Sequence, residues 1–148
     1  MTMTYRTIVV AVDGSKEAEW ALKKAIQIAK RNGAKLILSH VIDVQDYTAM
    51  GFSDYTFTKR SEQYAVELLE RYKQEAVAAG LNDVETDIEF GSPKVKIAKD
   101  VAPKHKADLI ICGATGLNAV ERFLIGSVSE NIVRHAKCDV LVVRTRKE

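Results

Sequence analysis

Cysteine, net charge and long apolar runs are all scarce in this chain. Its two cysteines, Cys112 and Cys138, form no C-x-x-C pair and have no histidine at metal-ligand spacing, so neither a zinc site nor a thioredoxin-like motif is encoded. Both read as small buried hydrophobes. Cys112 closes an apolar run and is the thiol to watch for oxidation if solvent reaches it. Charge is nearly balanced at +2, which argues for neither a nucleic-acid partner nor an anionic membrane. No apolar stretch approaches the ~18 residues of a membrane span, and Met1 to Arg6 carries no long apolar signal region, so the cytoplasm is the expected location. No G-K-[ST] triplet occurs and the first strand carries no G-x-G-x-x-G, which disfavours the usual NTPase and dinucleotide-binding folds.

What is present suits one globular domain over 1–148, with 47% hydrophobic and 28% charged residues. A chain of this size buries roughly two-thirds of its unfolded surface and has no need of covalent staples. Thr7 to Val12 is short, continuously apolar and β-branched, the pattern of a strand covered on both faces. From 16 to 32 the period becomes helical, with Ala18, Ala21, Leu22, Ala25, Ile28 and Ala29 on one face and Gly33 placed as a C-terminal cap. A second strand is expected over 35–41. A longer amphipathic helix follows over about 58–79, with Tyr64, Leu68, Tyr72 and Ala76 on its buried stripe and Gly80-Leu81 as its cap. Residues 84–90 alternate like an edge strand with one wet face. Ser92-Pro93 opens a short helix that buries Ile97, Ala98, Val101 and Ala102. A strand at 107–112, a helix at 128–136 and a strand at 140–143 complete the chain.

Strands and helices therefore alternate throughout, the signature of an α/β fold with a five-stranded parallel sheet covered by helices on both faces. Right-handed crossovers and the polar third strand favour the order 3-2-1-4-5. The crevice then opens between the C-terminal ends of strands 1 and 4, at Val12-Asp13 and Cys112-Gly113.

The most informative motif lies at that point. Gly113-Ala114-Thr115-Gly116, nine further residues and Gly126-Ser127 spell G-x2-G-x9-G-[ST], beginning where Leu109-Ile110-Ile111-Cys112 ends. Phosphate binding needs converging backbone N–H groups with no Cβ in the way, backed by a helix N-terminus. Gly113, Gly116 and Gly126 permit the close approach, Ser127 offers an N–H and a hydroxyl, and Val128 and Ser129 add N–H groups. Plainer readings stand beside this one: the glycines supply turns, and Ser127 to Glu130 form an S-x-x-E capping box. Asp13 is a candidate for water-mediated Mg²⁺ binding or for a simple turn and cap. Arg122 meets a phosphate or lies on a helix surface. His40, His105 and His135 are scattered and read as structural or surface residues, and no catalytic residue is assigned. Met50, Phe52, Tyr55 and Phe57, in the irregular stretch 44–57, suit a lid, an interface or ordinary core packing.

The run Ile8 to Ser15, the pair His40-Val41, Gly91-Ser92-Pro93, the glycine motif, and Gly126 to Cys138 followed by Val140 to Arg144 together resemble the universal stress proteins of the UspA type. Asp139 departs from the family pattern, which usually has proline there. The resemblance implies a Rossmann-like (adenine nucleotide alpha hydrolase-like) domain and a homodimer formed largely through the last strands. Its glycine motif marks the branch that binds ATP, or ADP or AMP, with Mg²⁺. Carried over by position, Ala11 and Val12 would line the base and ribose pocket, Asp13 would sit near the phosphates and metal, and the backbone of Val41 would meet the adenine. Gly113 and Gly116 would contact ribose and phosphate, flanked by Thr115 and Leu117, while Gly126, Ser127, Val128 and Ser129 would hold the phosphates. The implied role is a nucleotide-dependent sensor or adaptor in the stress response. A slow Mg-dependent ATPase and an oligomeric scaffold binding another adenine nucleotide are the alternatives.

Overall fold

The β-branched run near the start forms β1, Thr7–Ala11, the centre of the sheet in a computed structural model that describes residues 3–43, 54–115 and 125–145. It is followed by α1 (Lys16–Asn32), β2 (Lys35–Asp43), α2 (Asp54–Ala78), β3 (Val84–Gly91), a broken helix α3 over 93–105, β4 (Leu109–Gly113), α4 (Ser127–His135) and β5 (Asp139–Val143). The five strands lie in the order β3-β2-β1-β4-β5, as expected from the sequence. All ladders are parallel. β1 pairs with β2 from Thr7–Lys35 to Ala11–Ser39, and with β4 from Ile8–Leu109 to Val10–Ile111.

Strand alternation divides the core into two layers. Ile8, Val10, Leu36, Leu38, Leu109 and Ile111 face α1 and α2, meeting Ala21, Leu22, Leu68, Leu69 and Tyr72. Val9, Ile37, Val41, Ile110 and Cys112 face the other way, onto Ile97, Val101, Ala102 and Ile132 of α3 and α4. Cys112 is thus a core residue, and burial pushes its thiol up to about 12, which keeps it unreactive.

The helix ends follow local chemistry. Ser15 caps α1 by accepting the Ala18 N–H at 3.1 Å, and Gly33, at φ +64, closes it with the Ala34 N–H on the Ala29 carbonyl. Gly80, at φ +108, does the same for α2, with the Leu81 N–H on the Ala76 carbonyl. In α3, Ala102 donates to the Ile97 carbonyl five residues back, a π-turn over Ile97–Val101. Pro103 has no N–H with which to continue the ordinary ladder, and the helix yields just before it.

Four expectations need correction. Helix α2 starts at Asp54, before the expected 58, and takes in the end of the stretch read as irregular; an acidic residue in a first turn suits the helix dipole. Tyr64 leaves the buried stripe and is 50% exposed, because it sits above the end of β1 instead of over the sheet. Ser92 stands at the cap of α3, yet its side chain makes no capping bond. Finally, β3 has no simple wet face: Asp87 is only 6% exposed, since the tail of α3 folds over it and brings Lys104 Nζ to 2.7 Å and His105 Nε2 to 2.6 Å.

Candidate functional site at the sheet crevice

The site is built where β1 and β4 part. β1 ends at Ala11, after which the Val12 N–H donates to the Ser39 carbonyl at 2.9 Å. The Val12 carbonyl accepts from His40 Nδ1, also at 2.9 Å, so this nitrogen carries a proton. Both backbone groups of Val12 are therefore committed, and its side chain is buried in the core. Val12 can act as a wall of the crevice. Asp13, half-buried, accepts the Ser15 N–H on Oδ1 at 2.9 Å, which realises its turn role and leaves Oδ2 to face other partners. Gly14 follows at φ +87, a conformation open mainly to glycine.

Val41 lies two residues past the last residue of β2 that pairs with β1, in a strand that runs on to Asp43. Lys35 and Ser39 turn their backbone groups toward β1, as their bonds with Arg6 and Val12 require. Alternation turns the N–H and carbonyl of Val41 the same way, beyond the end of that ladder. An edge of backbone donor and acceptor there matches what a base requires.

On the far side of the crevice, the two halves of the glycine motif meet at Ala114. Its N–H donates to the Val143 carbonyl at 2.8 Å, and its own carbonyl accepts the Gly126 N–H at 2.6 Å and the Ser129 hydroxyl at 2.9 Å. The start of α4 is thereby fastened to the end of β4. This latch also decides the cap. Gly126 becomes the N-cap without any side-chain cap bond, Ser127 moves into the first turn, and Glu130 pairs with Arg134 at 2.9 Å. The expected S-x-x-E box is not formed, because Ser127 stands one residue too late to cap. Ser127, Val128 and Ser129 head the helix with N–H groups that have no intrahelical carbonyl. The Ser129 hydroxyl, buried and given to Ala114 and Gly126, is structural; only its N–H remains for a ligand.

Gly113 has a reason the sequence did not suggest. A Cβ there would lie 2.9 Å from Glu17 Cβ and 3.1 Å from the Glu17 backbone carbonyl, so its bareness lets α1 approach β4. Ala11 and Thr115 end the two flanking segments. Gly116, Leu117 and Arg122, with Met50 and Phe52 of the suggested lid, lie outside the described residues. Sequence reasoning missed His40 as the holder of Val12, Tyr64 as a neighbour of Gly14, and Ser129 as the latch. For His40, its place at the end of an apolar strand was the available signal.

The residues present fit a nucleotide accompanied by a cation better than a metal held by the protein. Among the described residues, no group of three or more His, Cys, Asp or Glu could hold a metal ion. One carboxylate, Asp13, suits Mg²⁺ carried largely by water and phosphate oxygens.

The model of the universal stress protein family matches residues 4–144. The chain belongs to this family. It is 57% identical over 145 residues to a universal stress protein of Staphylococcus aureus (strain USA300), covering 98% of this chain and 87% of the relative. Among solved structures it is similar to universal stress protein UspA from Lactobacillus plantarum, with a TM-score of 0.85, 31% identity and coverage of 97% and 100% of the two chains. A universal stress protein in complex with cAMP matches with a TM-score of 0.75 at 32% identity, covering 97% and 99%. The universal stress protein from Archaeoglobus fulgidus in complex with dAMP matches with a TM-score of 0.71 at 25% identity, covering 96% and 100%. These universal stress protein folds are Rossmann-like, in agreement with the strand order here. No helix among the described residues is long and apolar enough to cross a membrane.

Proposed function

We propose that this universal stress protein binds ATP, or ADP or AMP, with Mg²⁺ in the crevice and works as a nucleotide-dependent sensor or adaptor in the cytoplasmic stress response. The observation that carries this reading is the latch at Ala114, which holds the amide-bearing start of α4 at the end of β4, across the crevice from Asp13. Two similar proteins hold cAMP and dAMP, ligands of the same adenine nucleotide class. In this arrangement the N–H groups of Ser127, Val128 and Ser129 take the phosphates at the positive end of the helix dipole. The Ser127 hydroxyl, released from capping, adds one donor. Ala11 and Val12 line the base and ribose, the Val41 backbone meets the adenine, and Gly113, Thr115, Gly116 and Leu117 border the ribose and phosphates. Asp13 orients the cation, which when bound neutralises phosphate charge. A sensor is favoured over an enzyme because the sequence supplies a phosphate cradle and no residue assigned to activate a water.

Isothermal titration with ATP, ADP, AMP and cAMP in the presence of Mg²⁺ tests the reading. Micromolar affinity for at least one is expected, with loss of about a hundredfold or more in a Gly126→Val, Ser127→Ala double variant that retains its far-UV spectrum. Absence of binding by the unaltered protein would sink it.

A further inference from the structure

Tyr64 is the aromatic residue that the fold treats least as its sequence pattern implies. It lies on the apolar face of α2, yet half of its surface stays exposed. Its hydroxyl presses on Gly14 so closely that a Cβ at that position would overlap it. Its ring meets the His40 ring edge to face, with centroids 6.1 Å apart and planes at 67°. His40 in turn is tied by Nδ1 to the Val12 carbonyl. Three separate elements thus hold one half-exposed phenol ring over the segment Val12–Gly14, at the same end of the sheet as the start of α4.

The sheet order sets the distances. From β4 across β1 to β2 is two strand spacings, about 10 Å, which is the reach of a nucleotide from its phosphates to its base. A ligand whose phosphates sit at Ser127–Ser129, and which crosses over Asp13, brings its other end above His40 and Val41. The Tyr64 ring stands beside His40 and Gly14, at the border of that position. Aromatic rings fixed by an edge-to-face neighbour keep a flat face available at little entropic cost, and bases of any identity stack on such faces.

We infer that Tyr64 is a ligand-contacting residue of the crevice, the wall against which the base end of the bound molecule packs. The assignment rests on the adenine-nucleotide reading and adds a base-recognition element to it from helix α2. It implies that the base end, unlike the phosphate end, depends on Tyr64.

Affinity is therefore to be measured for ATP and for inorganic tripolyphosphate, both with Mg²⁺, in the unaltered protein, Tyr64→Phe and Tyr64→Ala. Tyr64→Ala is expected to weaken ATP by about tenfold or more while leaving tripolyphosphate unchanged, and Tyr64→Phe is expected to keep ATP binding within about threefold. NMR cross-peaks between the Tyr64 ring and the base protons of bound ATP are expected in the unaltered protein. Unchanged ATP affinity in Tyr64→Ala, equal loss of both ligands, or absence of the cross-peaks would overturn the assignment. Failure of the unaltered protein to bind any nucleotide would instead remove the function on which it rests.

Discussion

Asp87 shows how far one residue's role can depart from its local pattern. Alternation in β3 places it among exposed carboxylates, but α3 seals it from water. Burial raises its pKa, and the contacts with Lys104 and His105 outweigh that and hold the carboxyl below its ordinary 3.8. A folded-state pKa below the unfolded one means that the pairing stabilises the protein above the unfolded value and is lost as pH falls through the folded value. Asp87→Asn is expected to cost about 2 kcal/mol at pH 7. In urea titrations the gap to the unaltered protein should begin to narrow below about pH 4 and keep narrowing as pH falls through the folded value; a gap that does not change with pH at all would argue against the charged pairing. Gly113 and Tyr64 belong to the same class. The motif made Gly113 visible, and only the approach of Glu17 explains why a side chain is excluded there.

At the scale of elements, helix and strand identities and the C-terminal caps of α1 and α2 were legible, because periodicity and the glycines at 33 and 80 act within a few residues. The start of α4 was not. Its cap depends on Ala114, which is remote in sequence and reaches Gly126 and Ser129 through the tertiary fold. Ser129→Ala removes the buried hydroxyl from this latch and is expected to destabilise the protein by about 1 kcal/mol. It should also weaken nucleotide binding severalfold, since the first turn of α4 loses one of its two ties to β4. Denaturant unfolding together with calorimetric binding checks both; intact affinity would show that the Gly126–Ala114 bond alone suffices. The departure at Asp139 is accounted for at this scale too. It begins β5 and accepts the Tyr5 hydroxyl at 2.8 Å, tying the last strand to the chain before β1.

At the scale of the molecule, the sheet has two edges, β3 and β5, with different protection. β3 carries Glu85, Glu89 and the salt bridges to Lys35 and Lys104, charges that discourage pairing with another chain. β5 carries Val140, Leu141 and Val142, all half-buried in the isolated chain, and suits the homodimer contact that the family resemblance implies. Light scattering after size exclusion is expected to show a dimer, and Val142→Lys is expected to shift it to monomer with the fold retained. A monomeric unaltered protein would remove the dimer from the functional picture.

By itself, the sequence determined the alternation of strands and helices, the order of the sheet, the position of the crevice and the two ends of the glycine motif. Those features follow from local periodicity, glycine conformation and the handedness of crossovers, all of which act over short stretches of chain. Tertiary structure alone decided the burial of Asp87, the place of Tyr64 over Gly14, the hold of His40 on Val12 and the cap of α4. Each depends on which residue distant in sequence supplies the partner, and that is set only when the layers pack.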